Sequence, residues 1–163
     1  MKIYTFCNKQ NVPISVDQAW EFLTNSDNLS KMTPSEMNFQ KISQDNRPLY
    51  AGQIIQYSVT PIFGIPAKWV SEITQIKEKQ YFVDVQLYGP YAMWHHKHFV
   101  KEIPGGVEIE DLIDYKIPLS FIGQILHPFV VKPKLEEIFA FRRAKLIQLF
   151  GEFPKTTVNN PTF

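Results

Sequence analysis

The sequence predicts an α+β fold in which a curved antiparallel sheet of about seven strands wraps around one long C-terminal helix, with two short helices after the first strand. Three observations lead there. Between Phe39 and Ile117 the chain falls into short runs of alternating apolar and polar residues, separated by turn residues. From Pro133 to Phe150 the apolar residues change to helical spacing. One strand-like run and a helical stretch precede them both. The apolar face of such a sheet must be covered, and only the last helix is long enough to cover it. A strongly curved sheet around one helix leaves a gap, and the gap is where a ligand would sit.

Residues 2–11 alternate and form the first strand. Pro13 and Ser15-Val-Asp-Gln18 then start a helix, with Ser15 as N-cap, Gln18 three residues on, and Trp20, Phe22 and Leu23 on the buried side. A second short helical turn, near Asp27 to Lys31, stops before Thr33-Pro34. Strands follow at Phe39–Ser43, Gln53–Thr60, Ala67–Lys77, Tyr81–Tyr88, Met93–Ile103 and Val107–Ile117. Their turns carry Phe63-Gly64, Lys77-Glu-Lys-Gln80, Gly89-Pro90 and Pro104-Gly-Gly106. Beyond Ile117-Pro118, Ser120–His127 reads as a short helix broken by Pro128, with His127 at its end. Pro133 suits the first turn of the long helix, and Gly151 closes it. Leu135, Ile138, Phe139, Arg142, Leu146, Leu149 and Phe150 give that helix a mostly apolar face. Residues 1–151 form a single domain, and 152–163, which have no period, a loose tail.

A chain of 163 residues can bury a sizeable core in one domain. Its 13 Phe, 7 Tyr and 3 Trp exceed what packing alone requires and suit either a large core or a pocket for a flat apolar ligand. With 17 basic and 16 acidic residues and no long run of one sign, nucleic acid is not expected as a partner. The basic trio Arg142, Arg143 and Lys145 reads as a solvated helix face matched to the helix dipole. One cysteine, Cys7, excludes an internal disulfide and gives no thiolate metal site. No stretch approaches the ~20 apolar residues of a membrane span, and no signal peptide is evident, so a cytoplasmic protein is expected.

The stretch Tyr91–Phe99 holds three of the four histidines. As a strand it places Met93, His95, Lys97 and Phe99 on one face and Trp94, His96, His98 and Val100 on the other. The Pro104-Gly-Gly106 turn sets the register. With a loop from Ile103 to Gly106, Glu102 faces Val107, His98 faces Asp111, His96 faces Ile113 and Trp94 faces Tyr115. A loop one residue shorter pairs Phe99 with Asp111 and turns the histidines over. The first register is preferred because it gives Asp111 an imidazole partner among apolar neighbours. The row then has three readings: a satisfied polar pair in the sheet, a polar floor to a ligand pocket, or an acid/base His98 oriented by Asp111. No nucleophile motif accompanies the third. Two histidines at i, i+2 with a cross-strand Asp also form a conceivable metal set, but their ~7 Å spacing demands special rotamers, and no metal is expected.

Several motifs occur in a telling order: Pro34 after the paired helices, Ala51-Gly52 opening a strand, Phe82-x-Asp84-x-Gln86, and Gly89-Pro90-Tyr91. Trp94-x-His96-x-His98, Pro104-Gly-Gly106, Asp111-x-x-Asp114-Tyr115 and Phe139-x-x-Arg142-Arg143 follow. Over residues 2–151 the chain resembles the helix-grip superfamily of START lipid-transfer domains, birch pollen allergens and polyketide cyclase/dehydrase-like proteins. More narrowly it is similar to the bacterial ligand-binding SRPBCC branch. The resemblance implies a helix-grip fold and the binding of a small molecule; no cofactor is expected. It also suggests that Asp84 and Gln86 join the polar row, whereas burial favours Val83, Val85 and Leu87 facing inward; both arrangements stay open.

The expected function is binding of a small, largely apolar or aromatic molecule in a cavity of at least ~300 Å³ between sheet and C-terminal helix. Trp94, His96, His98, Asp111 and Tyr115 would form its polar and aromatic wall, with Tyr57, Trp69 and Gln86 as further ligand contacts. The alternative is a cyclase or dehydratase using His98 and Asp111. A protein-interaction module is disfavoured because the apolar residues mostly alternate inward. The sequence leaves the oligomeric state open.

Overall fold

The computed structural model describes residues 2–43, 45, 47–60, 64–118 and 127–154. Seven strands, β1 (Tyr4–Val12), β2 (Gln40–Lys41), β3 (Ile54–Val59), β4 (Ala67–Lys77), β5 (Tyr81–Tyr88), β6 (Met93–Ile103) and β7 (Gly106–Lys116), form one antiparallel sheet. Its order is β1-β7-β6-β5-β4-β3-β2, so the chain meanders from β2 to β7 and β1 adds beside β7. Helix α1 (Val16–Thr24) follows β1, and the long helix α2 (Lys132–Phe150) is the last described element. The sheet holds α2 against one face, as expected.

Local chemistry explains the element ends. Ser15 caps α1 in a full capping box, its Oγ accepting from Gln18 N while Gln18 Oε1 accepts from Ser15 N. After α1 come three short 3-10 turns, Ser26–Asn28, Ser30–Met32 and Ser35–Met37, the last of which the sequence pattern did not predict. Thr33-Pro34 separates the second from the third, since the residue before a proline avoids helical backbone. Strand β2 is two residues long rather than five. The helix expected over 120–127 lies outside the described residues except for His127, which begins a π-type turn, His127–Val131, leading into α2. The tail from residue 155 and part of the expected Phe63-Gly64 turn also lie outside.

The β6–β7 turn has the predicted register. Ile103 pairs with Gly106 across Pro104-Gly105, and below them Glu102 meets Val107, His98 meets Asp111, His96 meets Ile113 and Trp94 meets Tyr115. Pro104 followed by Gly105 at φ +86° is the pattern of a type II turn. Gly106 is needed for a different reason: a Cβ there would run into the carbonyl oxygen of Val12.

The core has separate parts. One joins α1 to the turn end of β6 and β7 through Val12, Ala19, Val100, Val107 and Ile109, with Leu146 of α2. The other joins the start of α2 to the far end of those strands through Trp94, Ile113, Tyr115, Leu135 and Phe139. Between them lies a polar cluster, and beside it a smaller apolar group on β3 and β4, Ile55, Tyr57 and Ile73. The cavity opens there.

Candidate functional site

The predicted alternation on β6 puts His96 and His98 on the inner face, both buried. Their rings lie against each other, tilted by 36°, with centroids 3.7 Å apart. Strand β5 lies on one side of them and β7 on the other, so each histidine has a carboxylate directly across a neighbouring strand: Asp84 faces His96, and Asp111 faces His98. The side chains also cross diagonally. His98 Nε2 lies 2.9 Å from Asp84 Oδ2 and its Nδ1 3.1 Å from Asp111 Oδ1. His96 Nε2 lies 2.9 Å from Asp111 Oδ1, and its Nδ1 3.7 Å from Asp84 Oδ2.

Arg142 of α2 completes the cluster, its Nη1 donating to Asp111 Oδ1 at 2.8 Å. This corrects the solvated basic face expected for Arg142, Arg143 and Lys145. Arg142 is buried, whereas Arg143 turns outward to Lys9 O and Asn8 Oδ1, and Lys145 pairs with Gln148. The signal was present in the sequence: Arg142 falls within the apolar stripe between Phe139 and Leu146. A charged residue in such a stripe needs a buried partner.

Burial and pairing set the charges. Burial, then the His98 charge, lowers His96 to about 4 despite its bond to Asp111, so it stays neutral. Burial also opposes charge on His98, yet the hydrogen bonds and charges of Asp111 and Asp84 outweigh it and raise its pKa. Burial pushes both carboxyls up. For Asp84 the His98 bond and the charges of both histidines win, and for Asp111 the Arg142 charge and the two imidazole bonds hold it well below the carboxylate range. Of the two imidazoles, His96 is thus the one whose surroundings disfavour charge, and His98 the one whose carboxylate contacts favour it.

Beside this cluster lies a cavity of about 180 Å³. Asp84, His96, His98 and Arg142 form its polar side. Trp69, Tyr91 and Trp94 form an aromatic corner, with Trp69 and Trp94 edge to face at 5.3 Å. Tyr57, Ile55, Ile73 and Phe82 supply much of the remaining wall, and Phe82 stacks on His98 at 4.1 Å. Trp69 Nε1 donates to Ser71 Oγ at 3.0 Å, and Ser71 Oγ lies 3.5 Å from Asp84 Oδ1, so the aromatic corner is tied to the acid. The volume is below the ~300 Å³ expected, because large aromatic side chains and Leu135, Ile138 and Phe139 of α2 project into the space.

Of the expected wall residues, Trp94, His96, His98, Tyr57 and Trp69 line the cavity. Three do not. Asp111 lies behind the histidines, 2% exposed. Tyr115 lies beneath the start of α2, with Val131 and Leu135, and its Oη is 2.7 Å from His127 Nε2. His127 is therefore a buried partner of Tyr115 rather than only a helix end. Gln86 instead braces the next turn, donating to Tyr91 O at 2.7 Å and accepting from Tyr91 N at 3.3 Å, which fixes Tyr91 near the aromatic corner. The open question on β5 is thus divided: Asp84 faces the cavity and Gln86 does not, with Leu87 exposed.

A curved antiparallel sheet closed over one long helix, with a small cavity between them, defines the helix-grip fold. Solved structures share it. The chain superposes on a START superfamily protein from Mycobacterium smegmatis with a TM-score of 0.65 and 12% identity, covering 89% of this chain and 98% of that one. The protein TTHA0849 from Thermus thermophilus gives 0.68 and 8%, covering 90% and 99%. Ara h 8.0201 gives 0.60 and 14%, again covering 90% and 99%. At these identities the likeness is one of fold. No protein-family model matches the chain, and no curated protein matches it in sequence.

Proposed function

We propose that the protein binds a small ring compound, largely apolar and carrying one hydrogen-bond acceptor, in the cavity between sheet and α2. The carrying observation is an aromatic-walled cavity with one polar side, formed by Asp84, His96, His98 and Arg142. An oxygen on an otherwise apolar ring would meet the guanidinium and imidazoles of that side, while the ring itself packs against Trp69, Tyr91 and Trp94. The volume sets the size. An apolar cavity of about 150 Å³ accepts one benzene, so about 180 Å³ suits one ring or two fused rings and excludes a long lipid. The resemblance to small-molecule-binding helix-grip proteins supports the same class. Residues 1–151 form the binding unit, and the cytoplasm, where a lone exposed thiol such as Cys7 stays reduced, is the fitting compartment.

The enzyme alternative has less support. An acid/base His98 needs a ring nitrogen facing substrate, and both of its nitrogens engage carboxylates.

Calorimetric titration of the full-length protein with 2-naphthol, a fused-ring compound with one oxygen, tests the proposal. One saturable site per chain is expected. Val59→Phe, which fills the cavity from a buried position on β3, is expected to weaken it at least ~10-fold with the circular dichroism spectrum unchanged. No saturable binding, or equal binding by a folded Val59→Phe, would overturn it.

A further inference from the structure

We infer that Asp84, His96 and His98 form a binding site for one divalent first-row transition ion of the zinc or ferrous class, at the polar side of the cavity. One donor atom from each of the three lies within 4.8 Å of the others. Asp84 Oδ2 is 2.9 Å from His98 Nε2 and 3.7 Å from His96 Nδ1. Ligand atoms that share an ion at about 2.1 Å stand about 3.0–3.4 Å apart, so the two Asp84 pairs are already close to ligating spacing, and the two imidazole nitrogens, within 4.8 Å of each other, would draw together on an ion. Two nitrogens and one oxygen suit a borderline transition ion rather than calcium or magnesium.

A second observation is independent of that convergence. The nitrogens facing away from Asp84, His96 Nε2 and His98 Nδ1, both meet Asp111 Oδ1, at 2.9 and 3.1 Å. Metal-bound histidines nearly always donate the opposite ring N–H to such a carboxylate, which fixes tautomer and ring angle. Here one carboxylate serves both rings, and Arg142 Nη1 at 2.8 Å fixes it in turn. Asp84 is braced from its other oxygen by Ser71. All three ligands project from adjacent central strands, which hold geometry better than loops do.

The cavity supplies the open side. Asp84, His96 and His98 line it and Asp111 does not, so the ion would have three protein ligands and free positions toward the space. With neutral histidines, the charges of Asp84, Asp111, Arg142 and a divalent ion sum to +1, which favours an anionic oxygen in a free position. Only that last point rests on the ring-compound reading; the ligand set stands without it.

The test uses full-length protein stripped with a chelator and titrated with Zn²⁺ by calorimetry and with Co²⁺ by visible absorption and NMR. One ion per chain is expected, with d–d bands lacking a thiolate charge-transfer band, and paramagnetic shifts on the His96 and His98 rings. Cys7→Ser leaves binding unchanged, Asp111→Asn weakens it about 10- to 100-fold, and Asp84→Asn abolishes it. Absence of a one-to-one site overturns the assignment, as does undiminished binding by a folded Asp84→Asn protein. Should that variant not fold, the wild-type cobalt shifts decide: signals at His96 and His98 support the site, and signals only elsewhere sink it. Titration of the metal-free protein with 2-naphthol separates the two readings, since either site can be lost without the other.

Discussion

Arg142 is the residue on which the buried cluster depends. Among the described residues its guanidinium is the one fixed positive charge against Asp111, and Asp111 in turn anchors both histidines. Removing one partner of a buried ion pair leaves an uncompensated charge, which costs about 3–5 kcal/mol. Arg142→Met keeps most of the apolar contact and loses that charge. We expect it to lower unfolding free energy in urea by that amount, and a loss under ~1 kcal/mol would mean that Asp111 is held well enough by the imidazoles alone. At this scale the sequence was partly legible. Alternation and the turn identified the His96–His98 row and its Asp111 partner. Asp84 was not fixed, because both faces of β5 carry apolar residues and period-two reasoning then has no side to prefer. Register shifts between β4 and β5 at Val70/Ser71 and Ile73/Gln75 blur the pattern further. Arg142 was visible as a charge in an apolar stripe, yet two basic neighbours made it look like surface.

At the scale of elements, the β6–β7 turn controls where the histidines point. Gly105 at φ +86° sits where an L side chain costs about 1–2 kcal/mol. Gly105→Ala is expected to lower stability by that amount in chemical denaturation with the hydrogen-exchange pattern of β6 and β7 retained. A protein of unchanged stability would show that the turn has relaxed to another type. The hairpin could be read in advance because a two-residue connection leaves few geometries and only one pairs Asp111 with an imidazole. The strand expected at Phe39–Ser43 is present but shorter, since its ladder pairing is limited to Gln40 with Ser58 and Lys41 with Tyr57, and so few pairs do not fix its ends in the pattern. The third 3-10 turn could not be read, since its backbone closes on itself through Met37 N to Pro34 O and Asn38 N to Ser35 O. Such local bonds need no apolar stripe.

Across the whole molecule, the sheet gripping a helix followed from element order, while the size of the gap did not. Cavity volume depends on how far individual rings reach inward, and composition counts rings without placing them. Closure of the sheet over α2 also depends on a contact behind the cavity wall. His127 joins the turn before α2 to Tyr115 of β7 and stacks on Tyr4 of β1 at 3.7 Å. Burial, aided by the charges of Lys2 and Lys132, lowers the His127 pKa below its usual value, so the folded protein resists protonation there. Below about pH 6.5 the unfolded chain binds that proton more readily, so the contribution is complete above this pH and fades as pH falls. The urea midpoint of the wild type should therefore drop more steeply below neutral pH than that of His127→Phe. Parallel slopes would remove His127 from the acid response.

The three tryptophans fall into two optical groups. Trp69 and Trp94 meet at right angles in the cavity wall, while Trp20 stands outside it with its edge toward Phe82. Both indoles line the cavity, so an aromatic molecule packed against that corner changes the surroundings that set their dichroism and emission. The chain thus carries its own gauge of occupancy in near-ultraviolet dichroism and emission, with Trp20 as an internal standard and no dye or label required.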